Sequence, residues 1–204
     1  MELIAAVAIG LNPYIGMFVL ASLAAFTDHV PQGELMQVAS VPALGAIAAL
    51  YGLIAPVEFV FGKFARFAPA VRRMSQLVAP FTGALAAVSL TETGLPLPAV
   101  AAFGAMMAWV VAAMLTSVAA RASRSAAWVG LGHIPILMAA ATAAACIVPL
   151  ALAKPVIGYG LSAVTLTMLG GATLAGLRSV TAAPARRAVR TTLPVAVRST
   201  AATR

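Results

Sequence analysis

Charge is what this chain has least of. Only 9% of its 204 residues are Asp, Glu, Lys or Arg, and five of these are acidic, where a soluble domain carries about 25%. With 62% hydrophobic residues and a mean hydropathy of +1.02, the composition excludes an ordinary globular protein. Cysteine is nearly absent as well. Cys146 stands alone, which excludes an internal disulfide and a cysteine-based metal cage, and no charged neighbour activates it, so it reads as a small buried residue. The motifs Gly-x-Ser-x-Gly, His-Glu-x-x-His, the phosphate-binding loop and Gly-x-Gly-x-x-Gly are missing. The acids are too few and too scattered for a paired-carboxylate site inside a bilayer. An enzyme is therefore not expected, a lipid-handling one included, and no cofactor is expected. Alternation of polar and apolar residues, the mark of a spanning strand, is lacking too.

What remains is a series of long, continuously apolar runs, which read as membrane helices. The expected fold is all-α: a polytopic bundle of about six transmembrane helices over residues 1–177, followed by a basic cytoplasmic tail, 178–204, either disordered or lying on the lipid surface. Met1-Glu2-Leu3 lacks the basic start of a cleavable signal, so the first helix is placed at Leu3–Phe26. The others fall near Val38–Gly62, Gln76–Thr91, Pro98–Ala120, His133–Ala153 and Tyr159–Leu177. The third, at sixteen residues, would span only about 24 Å.

All of the thirteen basic residues except Lys154 fall in the loops 63–75 and 121–132 or in the tail. Asp28, Glu34 and Glu92 fall on the opposite side. This asymmetry places the basic loops in the cytoplasm, and six helices would then put both termini there. The net charge of +8 thus reads as membrane topology and attraction to anionic lipid headgroups, not nucleic-acid binding. Lys63, Arg66, Arg72, Arg73, Arg186, Arg187 and Arg190 are the candidate headgroup contacts, with plain topology anchoring as the alternative. His29 and His133 would lie about 30 Å apart, on opposite faces, so they cannot share a haem or metal. Trp109 reads as a packing residue and Trp128 as an interface anchor.

Two stretches stand out. Gly10-Leu-Asn-Pro-Tyr14 interrupts the first helix: Asn12 is polar near mid-membrane, and Pro13 frees the carbonyl of Ile9, which makes either a site for an ion or polar solute or, the commoner case, a packing kink with Asn12 bonded to a neighbouring helix. In the second, Pro56 kinks the helix and Glu58 follows half a turn later. A carboxylate in hydrocarbon is costly unless paired, protonated or wet. It is either a proton- or cation-coupling group or the partner of Lys63, Arg66 or another base near the surface. Ala48, Ala55 and Gly62 form a small-residue stripe that admits another helix closely, with Tyr51 and Glu58 beside it. Pro13-Tyr-Ile-Gly16 is echoed by Pro80-Phe-Thr-Gly83, as if two hairpins were duplicated, and broken helices in matching repeats point to a transport site. The candidate polar site is thus Asn12, Pro13, Tyr51, Glu58, Pro80 and Thr82.

Pro56-Val-Glu-Phe-Val-Phe-Gly-Lys63 with Val78-Ala-Pro-Phe-Thr-Gly-Ala-Leu-Ala86 resembles the bacterial membrane proteins grouped as domain of unknown function 4126. Glu58, Lys63, Pro80, Gly83 and Ala84 match that pattern. Gly62 stands where the family has an acid, and Ala79 where it often has a base. The resemblance implies a multi-pass protein of the bacterial cytoplasmic (inner) membrane and no particular activity. The expected function is a small transporter or channel-like protein. The alternative is an accessory or scaffold subunit of a membrane complex, with a second copy or a partner subunit bound beside lipid.

Overall fold

The computed structural model describes residues 1–27, 41–62, 64, 66–91, 96–126, 134–152 and 154–192. For 41, 68, 122–126, 134–136, 151 and 177–192 only the backbone is described. Among the described residues there are seven helices and no strand: α1 (Glu2–Leu11), α2 (Pro13–Phe26), α3 (Val41–Gly62), α4 (Ala68–Leu90), α5 (Leu97–Ala126), α6 (Ile134–Ala151) and α7 (Pro155–Thr192).

The largest departure from expectation is at the start. Residues 3–26 do not form one interrupted spanning helix; α1 and α2 are a hairpin. Asn12 alone separates them, with extended backbone at φ −153° and ψ 105°. Gly16 folds back on Ile9 so closely that a Cβ at Gly16 would sit 3.1 Å from the Ile9 Cα. In a continuous helix, residues seven apart are separated by about 10 Å along the axis. The partners of each arm give the directions. Glu2 receives a hydrogen bond from Thr91, just past the end of α4, at 3.2 Å, whereas Asn12 lies beside Glu58 and Ser75 at the other end of α3 and α4. Phe18 then lies against Gly52, so α2 climbs back antiparallel to α3. With ten and fourteen residues, the arms are only about 15 and 21 Å long. The sequence hid this because the two arms add up to the length of one membrane span.

The first arm is the centre of the bundle. Ile4 through Ile9 are completely buried, as expected for a helix apolar on all sides. It packs against α4, α5, α6 and α7. Small residues permit this crowding. A Cβ on Gly10 would come within 2.7 Å of the Ala108 carbonyl oxygen, so α1 lies directly on the backbone of α5. α4 meets the same stretch of α5 through Gly83 and Gly104, where a Cβ on Gly83 would stand 2.6 Å from the Gly104 oxygen. Close approach through small residues is the usual basis of helix association in lipid.

Other boundaries shift. α4 begins at Ala68 rather than Gln76, so Arg72 and Arg73 belong to a helix, not a loop. Pro80 does not break it, and the helix runs on to Leu90; Thr82 Oγ1 donates to the carbonyls of Val78 and Ala79 at 3.0 and 3.1 Å, as other hydroxyls of the bundle do on their own helices. α7 runs to Thr192, so the backbone of 178–192 is helical, where the sequence suggested a tail either disordered or lying on the lipid surface. Alanine and arginine, frequent there, are good helix formers. Residues 193–204 lie outside the described residues.

Candidate functional site

Most hydroxyls in the bundle are spent on their own helix. Ser89 donates to the Leu85 carbonyl, Thr116 to that of Ala112 and Thr173 to that of Leu169. Asn12, Glu58 and Ser75 are different, because they join three elements. Asn12 is the N-cap of α2: its Oδ1 accepts from the amides of Tyr14 at 3.1 Å and Ile15 at 2.9 Å. Two amides on one side-chain oxygen fix which way the amide points. Nδ2 therefore faces α3 and donates to Glu58 Oε2 at 3.1 Å. Ser75 Oγ, on α4, donates to Glu58 Oε1. Pro13 supplies the fixed φ of the first turn of α2 and needs no amide there. The hairpin turn is thus built around the carboxylate it delivers Asn12 to.

Asn12 is only 4% exposed, and Glu58 forms a wall between three hollows. On one side, α2, α3 and α6 enclose a groove of about 730 Å³, lined by Ile15, Phe18, Leu53, Phe59 and Leu137 among others, with Asn12 and Glu58 at its polar end. Toward the centre lies a small cavity of about 60 Å³, bounded by Glu58, Arg72, Ser75, Gln76 and Thr116. A third hollow, of about 260 Å³, brings Tyr14, Phe61 and Phe67 to the same carboxylate. Among the described residues no cation lies within ion-pair distance of Glu58, although Arg72 borders the same small cavity. The surface pair with Arg66 is not formed: Arg66 is exposed. Lys63 lies outside the described residues.

The residues expected to form one site divide into two groups. Asn12, Pro13 and Glu58 come together. Tyr51 stands two turns up α3, half-buried, with its ring centroid 6.4 Å from that of Tyr14. Pro80 and Thr82 line none of the three hollows; Thr82 is buried with its hydroxyl bonded to its own helix. Pro13 opens a helix after a break while Pro80 sits inside a continuous one, so the two proline motifs are not structural equivalents and do not form paired broken helices.

The stripe Ala48 and Ala55 is buried, and the helix that packs along α3 is α2, from this same chain. Arg72 turns out to be half-buried beside the site, Arg73 exposed, and Arg186, Arg187 and Arg190 fall on the final stretch of α7. Trp109 is 51% exposed and does not pack inside the bundle, whereas Cys146 is fully buried, as expected. His29, His133 and Trp128 lie outside the described residues. Among the described residues no cluster of His, Cys, Asp or Glu could hold a metal. Sequence reasoning missed Ser75, Tyr14 and Arg72 as neighbours of Glu58. The one available signal was helical spacing: Arg72, Ser75 and Gln76 fall at i, i+3 and i+4, but only if the helix is begun early enough.

No protein-family model matches the chain, and neither the curated proteins nor the solved structures contain a match. Three helical stretches, Pro42–Gly62, Leu97–Arg121 and Pro155–Gly176, are long and apolar enough to cross a membrane, and on that ground the chain is a membrane protein, with helices and no strand among the described residues.

Proposed function

We propose that the chain is a small transporter or channel-like protein in which Glu58 carries a proton or cation between the groove and the central cavity. The observation that supports this reading is the position of the carboxylate. It is held by Asn12 and Ser75 at the tip of a half-length helical hairpin and lines the hollows on either side of it. Intramembrane carboxylates facing cavities are typical of proton and ion relays, and helices interrupted within the bundle are typical of binding sites in carriers.

The topology belongs to the same proposal. Five crossings, α3 to α7, with the α1–α2 hairpin dipping in and out on one side, keep every basic residue but Lys154 in the cytoplasm. The first residues then lie on the side of Lys154, and only the C-terminal end is cytoplasmic. This replaces the six-crossing arrangement read from the sequence. The bacterial inner membrane and contacts of the arginines with anionic headgroups fit this orientation, as does the likeness to domain of unknown function 4126 over residues 54–86.

The test uses the full chain in vesicles containing a pH-sensitive dye, with a potassium diffusion potential drawing protons inward. Proton entry above that of empty vesicles, lowered at least about tenfold by Glu58→Gln, is the expected result. Vesicles as tight as empty ones, or Glu58→Gln equal to wild type, would remove the reading.

A second reading, an accessory subunit, is supported by α7. At Gly160, Gly170 and Gly171 an added Cβ would meet nothing within 4 Å, an open small-residue face suited to another helix. Cysteines placed at these positions would cross-link in native membranes to a stoichiometric partner on that reading, and not on the first.

A further inference from the structure

We infer that the groove between α2, α3 and α6 takes a single-chain amphiphile with a protonated amine head, its chain along the groove and its head bonded to Glu58. This rests on the reading of Glu58 as the working polar group and names the class of molecule it meets.

The walls define the tail. Ile15, Phe18, Leu53, Phe59 and Leu137 make the groove apolar, and Phe18, Leu53 and Leu137 are exposed at its rim. In a bilayer those residues face hydrocarbon, so the groove opens sideways to lipid. Its volume, about 730 Å³, falls within the roughly 300–1,000 Å³ that holds one ligand of drug-like size. One alkyl chain suits that space better than a two-chain lipid.

The head follows from which hydrogen-bonding capacity is left. Among the described residues Asn12 is the only other polar side chain lining the groove, and it is spent: Oδ1 on two amides, Nδ2 on Glu58. The carboxylate has about four lone-pair sites, of which Asn12 and Ser75 take two. With Glu58 ionised, the groove therefore ends in acceptors and its described lining offers no donor. Arg72, the nearest described cation, borders the cavity on the far side of Glu58 and does not line the groove. A fatty acid would set carboxylate against carboxylate. An alcohol could donate one hydrogen bond but would leave the charge unpaired. An ammonium group supplies three donors and the missing charge.

The full chain in phosphatidylcholine nanodiscs would be irradiated with a long-chain primary alkylamine carrying a diazirine midway along its chain. The matched alcohol and carboxylic acid serve as controls. Labelled residues are mapped by mass spectrometry. The amine is expected to label Phe18, Leu53 or Leu137 at least about tenfold more than either control, the effect of a charge-assisted bond. Glu58→Gln should bring the amine down to the level of the alcohol. Ala49→Phe, which narrows the groove while keeping the carboxylate, should abolish groove labelling by all three. Equal labelling by the three probes overturns the inference. So does amine labelling unchanged by Glu58→Gln, or amine labelling as dense on the lipid-facing Val156, Met168 and Leu174 as in the groove. Where Glu58→Gln fails to elute as the folded protein, Ala49→Phe decides, and undiminished labelling there is also contrary. No gradient is applied, so binding is read apart from flux. Loss of amine selectivity alongside Glu58-dependent proton entry removes this substrate class and leaves the transport reading standing. Selective labelling without proton entry does the reverse.

Discussion

At the scale of residues, the site depends on one side chain doing two jobs. Asn12 caps α2 through its oxygen and holds Glu58 through its nitrogen. The two jobs can be separated by substitution. Asn12→Ala loses both, and is expected to lower stability by about 1–3 kcal/mol, the sum of a lost cap and a lost hydrogen bond within a membrane bundle. Asn12→Asp keeps the cap but replaces the donor with a second carboxylate facing Glu58, so its loss should depend on Glu58. Thermal unfolding in detergent checks this. Combining Asn12→Asp with Glu58→Gln should recover stability, and additive losses would mean that the contact contributes nothing. Part of this arrangement is legible in the sequence. Asn-Pro inside an apolar run announces a break, and a lone Glu58 announces a polar centre. Their contact is not legible, because 46 positions separate them and no periodicity relates them. Ser75 is less legible still: a serine among arginines looks like a loop residue until the start of α4 is known.

Helix–helix contacts carry the next level of the argument. Proline shows how context decides the outcome. Pro13 starts a helix after the break at Asn12, whereas Pro80 sits inside a helix that continues past it to Leu90. The sequence shows two similar motifs, and only the packing around them distinguishes a break from a continuous helix. The α4–α5 contact is the tightest place at which to test the packing. Gly83 and Gly104 face each other, and a Cβ on Gly104 would collide with the Ala87 side chain and the Gly83 carbonyl. Gly83→Val is expected to force the helices apart and cost about 1–3 kcal/mol or more through overpacking. Gly160→Val, on an open face of α7, should cost less than about 1 kcal/mol by the usual scale of surface changes. Equal unfolding midpoints for the two variants would refute the close crossing. Arg121 adds a polar contact at the far end of α5, where its guanidinium lies over Gly176 of α7 and bonds Ser117 at 3.2 Å. A basic residue that looks like a helix terminator in the sequence is thereby also a packing element.

On the scale of the whole molecule, composition and charge asymmetry indicate a helical membrane protein with basic loops on one side, and they do so from sequence alone. They do not reveal the path of residues 2–26. Hydropathy measures how apolar a segment is, and a buried hairpin is as apolar as a span. The path decides where the N-terminal residues lie, and with them whether a half-length helix can bring Asn12 to Glu58 from the side opposite the basic loops. That is the central claim, and sided cysteine labelling tests it directly. In a Cys146→Ala background, Glu2→Cys, Arg66→Cys and Lys154→Cys would each be treated in intact cells and in inverted vesicles with a membrane-impermeant maleimide. The hairpin predicts that position 2 reacts from the same side as position 154 and from the side opposite to position 66. Reaction of position 2 together with position 66 would mean that residues 2–26 cross the membrane, and would contradict the account.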